Sequence, residues 1–234
     1  MEEVRAHNFS SHYFNVSVAS ETKAYRKCIP LFHFTVLGCR TRTPIDVAFV
    51  FDHKSRHPEF AQDFWILSRA IISELGAENE DLVSFEFVHK CHGSACSDQY
   101  RYASKTDALR AVDETLLSTR ATSPKLIDRM TKSLKANDPQ QRHKVGVFMT
   151  DSWSDNFRET LGAADRAKYG NGIEMFSVGF GGDVNPTELK AVASCPVDQH
   201  HYRKDKPLTA QTAKDLAKKI SRNICPRGNK ARLM

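Results

Sequence analysis

Two aspartates of this chain each follow a run of apolar and β-branched residues. Asp52 follows the run at residues 45–51, and Asp151 follows the run at residues 145–150. Short apolar runs that stop at polar turns predict buried parallel strands. Ligands of open parallel sheets bind at the carboxyl ends of the strands, so the two carboxylates are expected at one edge of a sheet. There they could hold a divalent cation or act as acid and base.

Catalysis needs further groups, and the other candidate residues do not supply them. Ser152 lies near a strand end but lacks the Gly-x-Ser-x-Gly surroundings of a nucleophile elbow. His200 and His201 are neighbours on a predicted strand, which directs their rings to opposite faces and works against a shared metal. Gly179 and Gly181 lack the third glycine of a dinucleotide-binding turn. A binding protein is therefore expected rather than an enzyme.

The hydrophobic pattern predicts the elements that place the two aspartates. Strands are expected at residues 45–51, 82–88, 98–103, 145–150, 173–179 and 200–203, and helices at residues 58–75, 105–117, 124–134, 157–167, 188–193 and 209–224. Because residues 82–88 alternate apolar and polar side chains, one face of that strand is expected to be exposed. The order predicts an α/β, Rossmann-like fold: a doubly wound, mostly parallel six-stranded sheet with one antiparallel edge strand and helices on both faces.

The length of 234 residues suits one such domain with short extensions. We expect a loop-rich N-terminal extension at residues 1–38, the domain at residues 39–226 and a basic tail at residues 227–234. No stretch reaches the roughly 18 apolar residues of a membrane span. The N-terminus has no basic start followed by an apolar core, so no signal peptide is visible.

The formal charge of +6 comes from 34 basic and 28 acidic residues, and much of the basic excess gathers near the C-terminus. Such a cluster could meet acidic or sulfated glycans, although a solvated helix face is the simpler explanation. Aromatic residues do not interleave with these cations, and no nucleic-acid-binding motif is present. No nucleic-acid partner is therefore expected.

The six cysteines form an even set without zinc-site spacing, which favours disulfides and secretion. Asn8 and Asn15 begin N-glycosylation sequons, in agreement with a secreted chain. A secreted chain without a visible leader is expected to be a mature form or a fragment. Cys91 and Cys96 flank a short turn that their disulfide would close, and a reactive dithiol beside His92 is the alternative. For the whole set, the alternative is an intracellular chain with free thiols.

Three segments in this order resemble a von Willebrand factor A domain. They are residues 46–52, residues 145–155, and residues 176–181 together with 189–194, and the resemblance covers about residues 44–225. It implies a ligand-binding module rather than an enzyme. In extracellular A domains of matrix proteins and some collagens, cysteines that flank the first strand and the last helix are bridged, which implies a Cys39–Cys225 disulfide here. A Cys28–Cys195 disulfide would then tie the N-terminal extension to the domain.

The resemblance also implies a metal-ion-dependent adhesion site, from which this sequence departs. Members of the family commonly hold a divalent cation, Mg²⁺ being the expected ion, with an Asp-x-Ser-x-Ser motif, a threonine and a second aspartate. Asp52 and Asp151 match the two aspartate positions. The two serine positions fall on Lys54 and Arg56, with Ser55 between them. The metal site is therefore expected to be degenerate.

The threonine position falls on Arg120, or on Thr119 or Thr122 if the register of that turn shifts. Cationic side chains at three ligand positions would repel a divalent ion. One hypothesis is a metal-independent site, in which these cations neutralise the aspartates directly and leave a basic edge for an acidic partner side chain. The alternatives are a decayed site with purely structural ion pairs and a site that still binds Mg²⁺.

The resemblance thus predicts a secreted, non-enzymatic adhesion module, with an extracellular matrix protein such as collagen as its ligand. An intracellular scaffold is the alternative function. The residues expected at the ligand-binding edge are Asp52, Lys54, Ser55, Arg56, Arg120 and Asp151.

Overall fold

The structure, a computed structural model, describes residues 44–54, 58–76, 82–88, 101–114, 122–136 and 142–228. The predicted N-terminal extension and most of the basic tail lie outside these ranges, so the domain limits stay predictions. The same holds for individual residues singled out in the sequence, namely Asn8, Asn15, Cys28, Cys39, Ser55, Arg56, Cys91, Cys96 and Arg120.

Six strands and seven helices are found in the described residues. The strands are β1 (Ile45–Asp52), β2 (Val83–Val88), β3 (Arg101–Tyr102), β4 (His143–Thr150), β5 (Glu174–Phe180) and β6 (His201–Lys204). The helices are α1 (Pro58–Gly76), α2 (Lys105–Glu114), α3 (Ser123–Ala136), α4 (Phe157–Asp165), α5 (Pro186–Val192), α6 (Val197–His200) and α7 (Ala210–Gly228). Helix α4 continues as a π-helical segment, Arg166–Gly170.

The strands form one sheet in the order β3-β2-β1-β4-β5-β6. Every neighbouring pair is parallel except β2 and β3, which are antiparallel. The predicted fold class is confirmed. Strand β1 is followed by β2 on one side, and β4 then returns to its other side, so the strand order reverses between β1 and β4. Asp52 pairs with Thr150 in the register, which brings both strand ends to this switch point, where ligands of such sheets bind.

The central strand β1 is buried along its whole length. Its odd-numbered residues, such as Phe49, pack with α1, α2 and α7, and its even-numbered residues, such as Val50, pack with α3, α4 and α5. Burial on both faces explains why the sequence of β1 is a nearly continuous apolar run. Each large side chain buried in this way contributes about 1.5–3 kcal/mol. Asp52 therefore ends a strand that is held firmly between two layers of helices.

The expectation of an exposed face on β2 is wrong, because all six residues of this strand are buried. Its polar side chains contact other protein groups instead of water. The Ser84 hydroxyl donates a hydrogen bond to Oδ1 of Asp46 at 2.5 Å. Glu86 lies on the same face and hydrogen-bonds to Ser133 of α3. The alternation in the sequence thus marks a buried polar network.

One helix was not predicted. The four-residue helix α6 lies between a cis Cys195–Pro196 peptide bond and β6, so His200 ends a helix and only His201 belongs to the strand. No helix among the described residues is both long and apolar enough to cross a membrane.

Candidate functional site

Asp52 lies at the carboxyl end of β1 with 2% of its surface exposed. Its Oδ2 accepts a hydrogen bond from the Ser123 hydroxyl at 2.7 Å and a longer one from the Thr150 hydroxyl at 3.3 Å. Burial raises the pKa of Asp52 to about 6, and the nearby Asp151 charge acts in the same direction, while the Ser123 bond and the Lys54 charge oppose it. A buried carboxylate beside a second one is an arrangement common at functional sites.

Asp151 follows β4 and has both carboxylate oxygens engaged by the loop after β1. Oδ2 lies 2.5 Å from Nδ1 of His53, and Oδ1 accepts a hydrogen bond from the backbone N–H of Lys54 at 3.0 Å. A carboxylate only accepts hydrogen bonds, so the proton of this contact lies on Nδ1 when Asp151 is ionised. The His53 ring is buried against the edge of Phe64 in α1, with ring centres 5.7 Å apart. The two loops are thereby joined below the surface.

The side chain of Lys54 also connects the loop after β1 to the loop after β4, nearer the surface than His53 does. Its Nζ donates to the carbonyl oxygen of Trp153 at 2.6 Å and to Oδ1 of Asp155 at 3.1 Å. The Lys54 side chain is only 16% exposed, whereas that of Asp155 is 76% exposed. Among the described residues, this ammonium therefore bonds to the loop after β4 rather than to Asp52 or Asp151. Its charge acts on Asp52 through space.

The loop after β4 is also held from the β5 side of the sheet. The Trp153 N–H donates to the carbonyl oxygen of Asp183 at 3.1 Å, and the Ser154 N–H donates to Oε2 of the buried Glu188 at 3.1 Å. Glu188 lies in the first turn of α5, whose N-terminus is capped by Asn185. The indole of Trp153 is nevertheless 62% exposed. Its backbone is fixed while its ring faces solvent.

Local sequence explains how Ser123 comes to contact Asp52. Ser123 is the first residue of α3, and Pro124 follows at a position where a missing N–H does not disturb a helix. The Leu126 N–H donates to the carbonyl oxygen of Thr122 at 3.1 Å and closes the first turn. Ser123 is therefore held in the first turn of α3, with its buried hydroxyl directed at Asp52 at the end of β1.

The described residues fit a divalent metal only in part. Asp52, Ser123 and Asp151 supply oxygen atoms of the type that Mg²⁺ prefers. However, both oxygens of Asp151 already accept hydrogen bonds, and Lys54 stands where the resemblance places a serine hydroxyl. In the described part of the chain, no group of three or more His, Cys, Asp or Glu side chains is placed to hold a metal. The donor set therefore does not complete an octahedral oxygen shell.

Of the six predicted edge residues, the structure brings three together: Asp52, Lys54 and Asp151. Ser55, Arg56 and Arg120 lie outside the described residues, and their role stays a prediction. Two groups at this edge were missed from the sequence. They are Ser123, for which the Ser-Pro pair at a helix start was the available signal, and His53, for which the sequence offered none.

Cys195 and Cys225 are both disulfide-bonded. Cys225 is 2% exposed and lies near the end of α7. The predicted partners Cys28 and Cys39 lie outside the described residues, so the pairing stays a prediction.

A second buried polar cluster lies at the opposite end of β1. Oδ1 of Asp46 accepts hydrogen bonds from Ser84, Arg101 and Arg142, at 2.5, 2.5 and 2.6 Å. Burial raises the pKa of Glu86 to about 7, and the Asp46 charge acts in the same direction. Oδ2 of Asp46 and Oε1 of Glu86 are buried, and neither has a hydrogen-bond partner among the described residues. An unpaired buried carboxylate oxygen favours the protonated form of Glu86.

A third cluster surrounds Glu174 at the start of β5. Its Oε1 lies 2.5 Å from Nε2 of His200, and its Oε2 lies 2.7 Å from Nε2 of His143. His201 instead lies 3.3 Å from the hydroxyl of Ser177. The neighbouring histidines His200 and His201 thus contact different groups, although the reason is the helix-to-strand junction between them and not two positions on one strand.

Comparison with known families gives one match in sequence. A family model described as von Willebrand factor type A domain matches residues 89–216, which is more than half of the chain. No curated protein matches the chain.

Solved structures share the fold at low sequence identity. Proximal thread matrix protein 1 from the mussel byssus, with a zinc-occupied metal-ion-dependent adhesion site, aligns with a TM-score of 0.62 and 16% identity over 81% of this chain and 47% of that chain. The manganese-loaded TRAP protein of Plasmodium vivax aligns with a TM-score of 0.57 and 15% identity over 80% of this chain and 75% of that chain. The von Willebrand factor domain of the type V pili tip protein Mfa5 from Porphyromonas gingivalis aligns with a TM-score of 0.58 and 10% identity over 79% of this chain and 97% of that chain. The chain spans about half the length of the mussel protein.

Proposed function

The chain belongs to the von Willebrand factor type A domain family, whose members are generally adhesion modules, and we propose that it binds a protein ligand without a metal ion. The proposed module is secreted and non-enzymatic, and its ligand is an extracellular matrix protein such as collagen. The proposed ligand-binding edge lies at the carboxyl ends of β1 and β4. It consists of Asp52, Lys54, Ser55, Arg56, Arg120 and Asp151.

The contact of Lys54 with the loop after β4 is the observation that carries the proposal. A metal ion in this position would draw the loops after β1 and β4 together. Here the Lys54 ammonium and the His53 imidazole make that connection, through Trp153, Asp155 and Asp151. Hydrogen bonds that involve charged groups contribute about 1.5–3 kcal/mol each. The edge is thus supported by the chain's own side chains.

Two observations support an extracellular location. Cys195 and Cys225 are disulfide-bonded, and such bonds persist in oxidising compartments. Two of the structural neighbours are a byssus matrix protein and a pilus tip protein. Mass spectrometry before and after reduction tests the location, because a secreted chain should contain three disulfides. Six free thiols in the freshly isolated protein would favour the intracellular scaffold instead.

Isothermal titration with Mg²⁺ and with Mn²⁺ tests the metal-independent edge. We expect no binding isotherm with either ion for the native chain. Micromolar binding that disappears in Asp151→Ala would contradict the proposal and restore a working metal site. The matched control is Asp128→Ala, since Asp128 lies on α3 and pairs with Arg166, away from this edge.

Binding to immobilised collagen tests the ligand class. The expected result is saturable binding that is the same in EDTA and in Mg²⁺, and that weakens in Asp151→Ala but not in Asp128→Ala. Retention on heparin that vanishes at moderate salt, without collagen binding, would indicate a sulfated glycan as the ligand.

A further inference from the structure

Three large apolar side chains are exposed in the described part of the chain: Trp153, Phe157 and Tyr169, at 62%, 40% and 64%. Tyr169 lies in the π-helical segment, where the Lys168 ammonium is 5.5 Å from its ring centre. Trp153 and Phe157, here called the rim aromatic pair, lie within five residues of each other at the ligand-binding edge. Neighbouring exposed aromatic residues often mark interaction surfaces, and tryptophan is enriched among the residues that dominate binding.

The backbone of the rim aromatic pair is fixed before any partner binds. The Trp153 N–H is bonded to Asp183, and its carbonyl oxygen is bonded to Lys54. Phe157 is the first residue of α4, whose N-terminus is capped by Asn156. Because the backbone does not have to be ordered on binding, less conformational entropy is lost when a partner contacts the rings.

The charges described around this pair are mainly negative. Three exposed residues are acidic, namely Asp155, Glu159 and Asp183, and one, Arg158, is basic. The buried residues Asp52 and Asp151 add two further carboxyl groups beneath them. Lys54 is largely covered by its bonds to the loop. The basic edge expected from the sequence therefore depends on Arg56 and Arg120, which lie outside the described residues.

We propose that the rim aromatic pair contacts a cationic segment of the partner protein, in which an arginine side chain stacks on the Trp153 indole and pairs with Asp155. The proposal rests on the metal-independent function, since a bound divalent cation would instead favour an acidic partner side chain.

The chemistry of the surface matches a guanidinium group. Cations are attracted to the face of an aromatic ring, most strongly to tryptophan, and the weakly hydrated guanidinium also stacks on it. Asp155 uses Oδ1 for Lys54, and its high exposure leaves the carboxylate open to a second donor. A lysine ammonium is more strongly hydrated and cannot stack in the same way, so arginine should be preferred.

The probes are three short synthetic peptides of identical spacing, which carry arginine, lysine or glutamate at the same positions and a fluorescent label. Binding to the full chain is measured by fluorescence anisotropy in EDTA. The arginine peptide should bind most tightly, the lysine peptide more weakly and the glutamate peptide undetectably. Raising the salt concentration should weaken binding, because part of the attraction is between exposed charges.

Variants then locate the contact. Trp153→Ala should weaken binding of the arginine peptide at least about tenfold, as expected for a dominant interface residue. Asp155→Asn should weaken it less, and Tyr169→Ala, an equally exposed aromatic residue elsewhere, should leave it unchanged. Circular dichroism confirms that each variant is folded.

The outcomes separate this inference from the proposed function. Binding of the glutamate peptide in EDTA would overturn the cationic partner but leave the metal-independent edge intact. Binding of the glutamate peptide only with Mg²⁺ would overturn both. Arginine-peptide binding that is unaffected by Trp153→Ala, or binding of neutral oligosaccharides that this variant abolishes, would also overturn the inference.

Discussion

Nζ of Lys54 lies 2.6 Å from the carbonyl oxygen of Trp153, a residue 99 positions further along the chain. The contact joins the loop after β1 to the loop after β4. Lys54→Met keeps the length of the side chain and removes the ammonium. We expect it to lower the free energy of unfolding by about 1–3 kcal/mol in urea titrations. In a Trp65→Phe background, acrylamide should quench the Trp153 fluorescence of this variant more strongly.

The control for this prediction is Lys214→Met on the exposed side of α7, which should change neither quantity. Equal stability and equal quenching in Lys54→Met and the native chain would show that the contact does not hold the loop.

Restoring the family pattern should create a metal site. In the double variant Lys54→Ser and Arg56→Ser, two hydroxyl ligands replace two cations, while Asp52, Ser123 and Asp151 remain. We expect Mn²⁺ and Mg²⁺ to bind this variant in calorimetric titrations, because oxygen donors suit both ions and two of the three cations at the predicted ligand positions are removed. Adding Asp151→Ala should abolish the binding. If the double variant binds neither ion, the replacement of serines by cationic residues is not what prevents metal binding.

Ser123 should moderate the pH dependence that burial gives to Asp52. The folded-state pKa of about 6 lies above the ordinary value of 3.8, so the proton on Asp52 stabilises the fold fully below about pH 4 and this contribution is lost as pH rises through about 6. The hydrogen bond from Ser123 stabilises the ionised carboxylate and so reduces that loss of stability. Ser123→Ala should therefore lower the free energy of unfolding by about 1–3 kcal/mol at pH 8, and by less at pH 4. An equal effect at both pH values would contradict a bond to the ionised carboxylate.

Glu86 should make the protein less stable as neutral pH is approached. Its pKa is raised from 4.5 to about 7 by burial, so the stabilising proton is fully present below about pH 4.5 and lost as pH rises through about 7. Glu86→Gln should flatten this part of the profile, with a relative gain on the order of 3 kcal/mol above pH 7. Urea titrations across this range check it, with the exposed Glu159→Gln as control. Parallel profiles for Glu86→Gln and the native chain would contradict the assignment.

Loss of the predicted Cys39–Cys225 disulfide, which closes a long loop, should destabilise the domain more than loss of the predicted Cys91–Cys96 disulfide, which closes a short one. In the chain-entropy model a Cys39–Cys225 bridge contributes about 5 kcal/mol, and a Cys91–Cys96 bridge contributes about 2 kcal/mol. Cys225→Ser should therefore lower the melting temperature well below that of Cys91→Ser in thermal scans. Peptide mapping under non-reducing conditions checks the pairing itself. A peptide that links Cys225 to any cysteine other than Cys39 would contradict it.

The sequence was sufficient to place Asp52 and Asp151 at one edge. Each ends a short apolar run, and the carboxyl ends of parallel strands necessarily meet on one side of a sheet. The order of helices and strands then led to the correct sheet, including its antiparallel edge strand.

Side-chain partners across the fold could not be predicted in this way. The loop before α3 has no periodic pattern, so the hydrogen bond from the Ser123 hydroxyl to Asp52 could not be predicted. For Glu86, the polar alternation of β2 suggested water as the neighbour. The neighbouring charges are in fact Asp46 and Arg101, which come from distant parts of the chain.

Strand β6, with which the sheet ends on the β5 side, has only four residues, His201–Lys204, and two of them are cationic. A short, charged border offers little template for another strand, which is how many proteins avoid joining sheet to sheet. Copies of the domain at high local concentration are therefore not expected to join through this edge into amyloid-like stacks. If several copies were presented together, weak contacts at the loops after β1 and β4 would add up, so the strength of attachment would come from the number of contacts rather than from any single one.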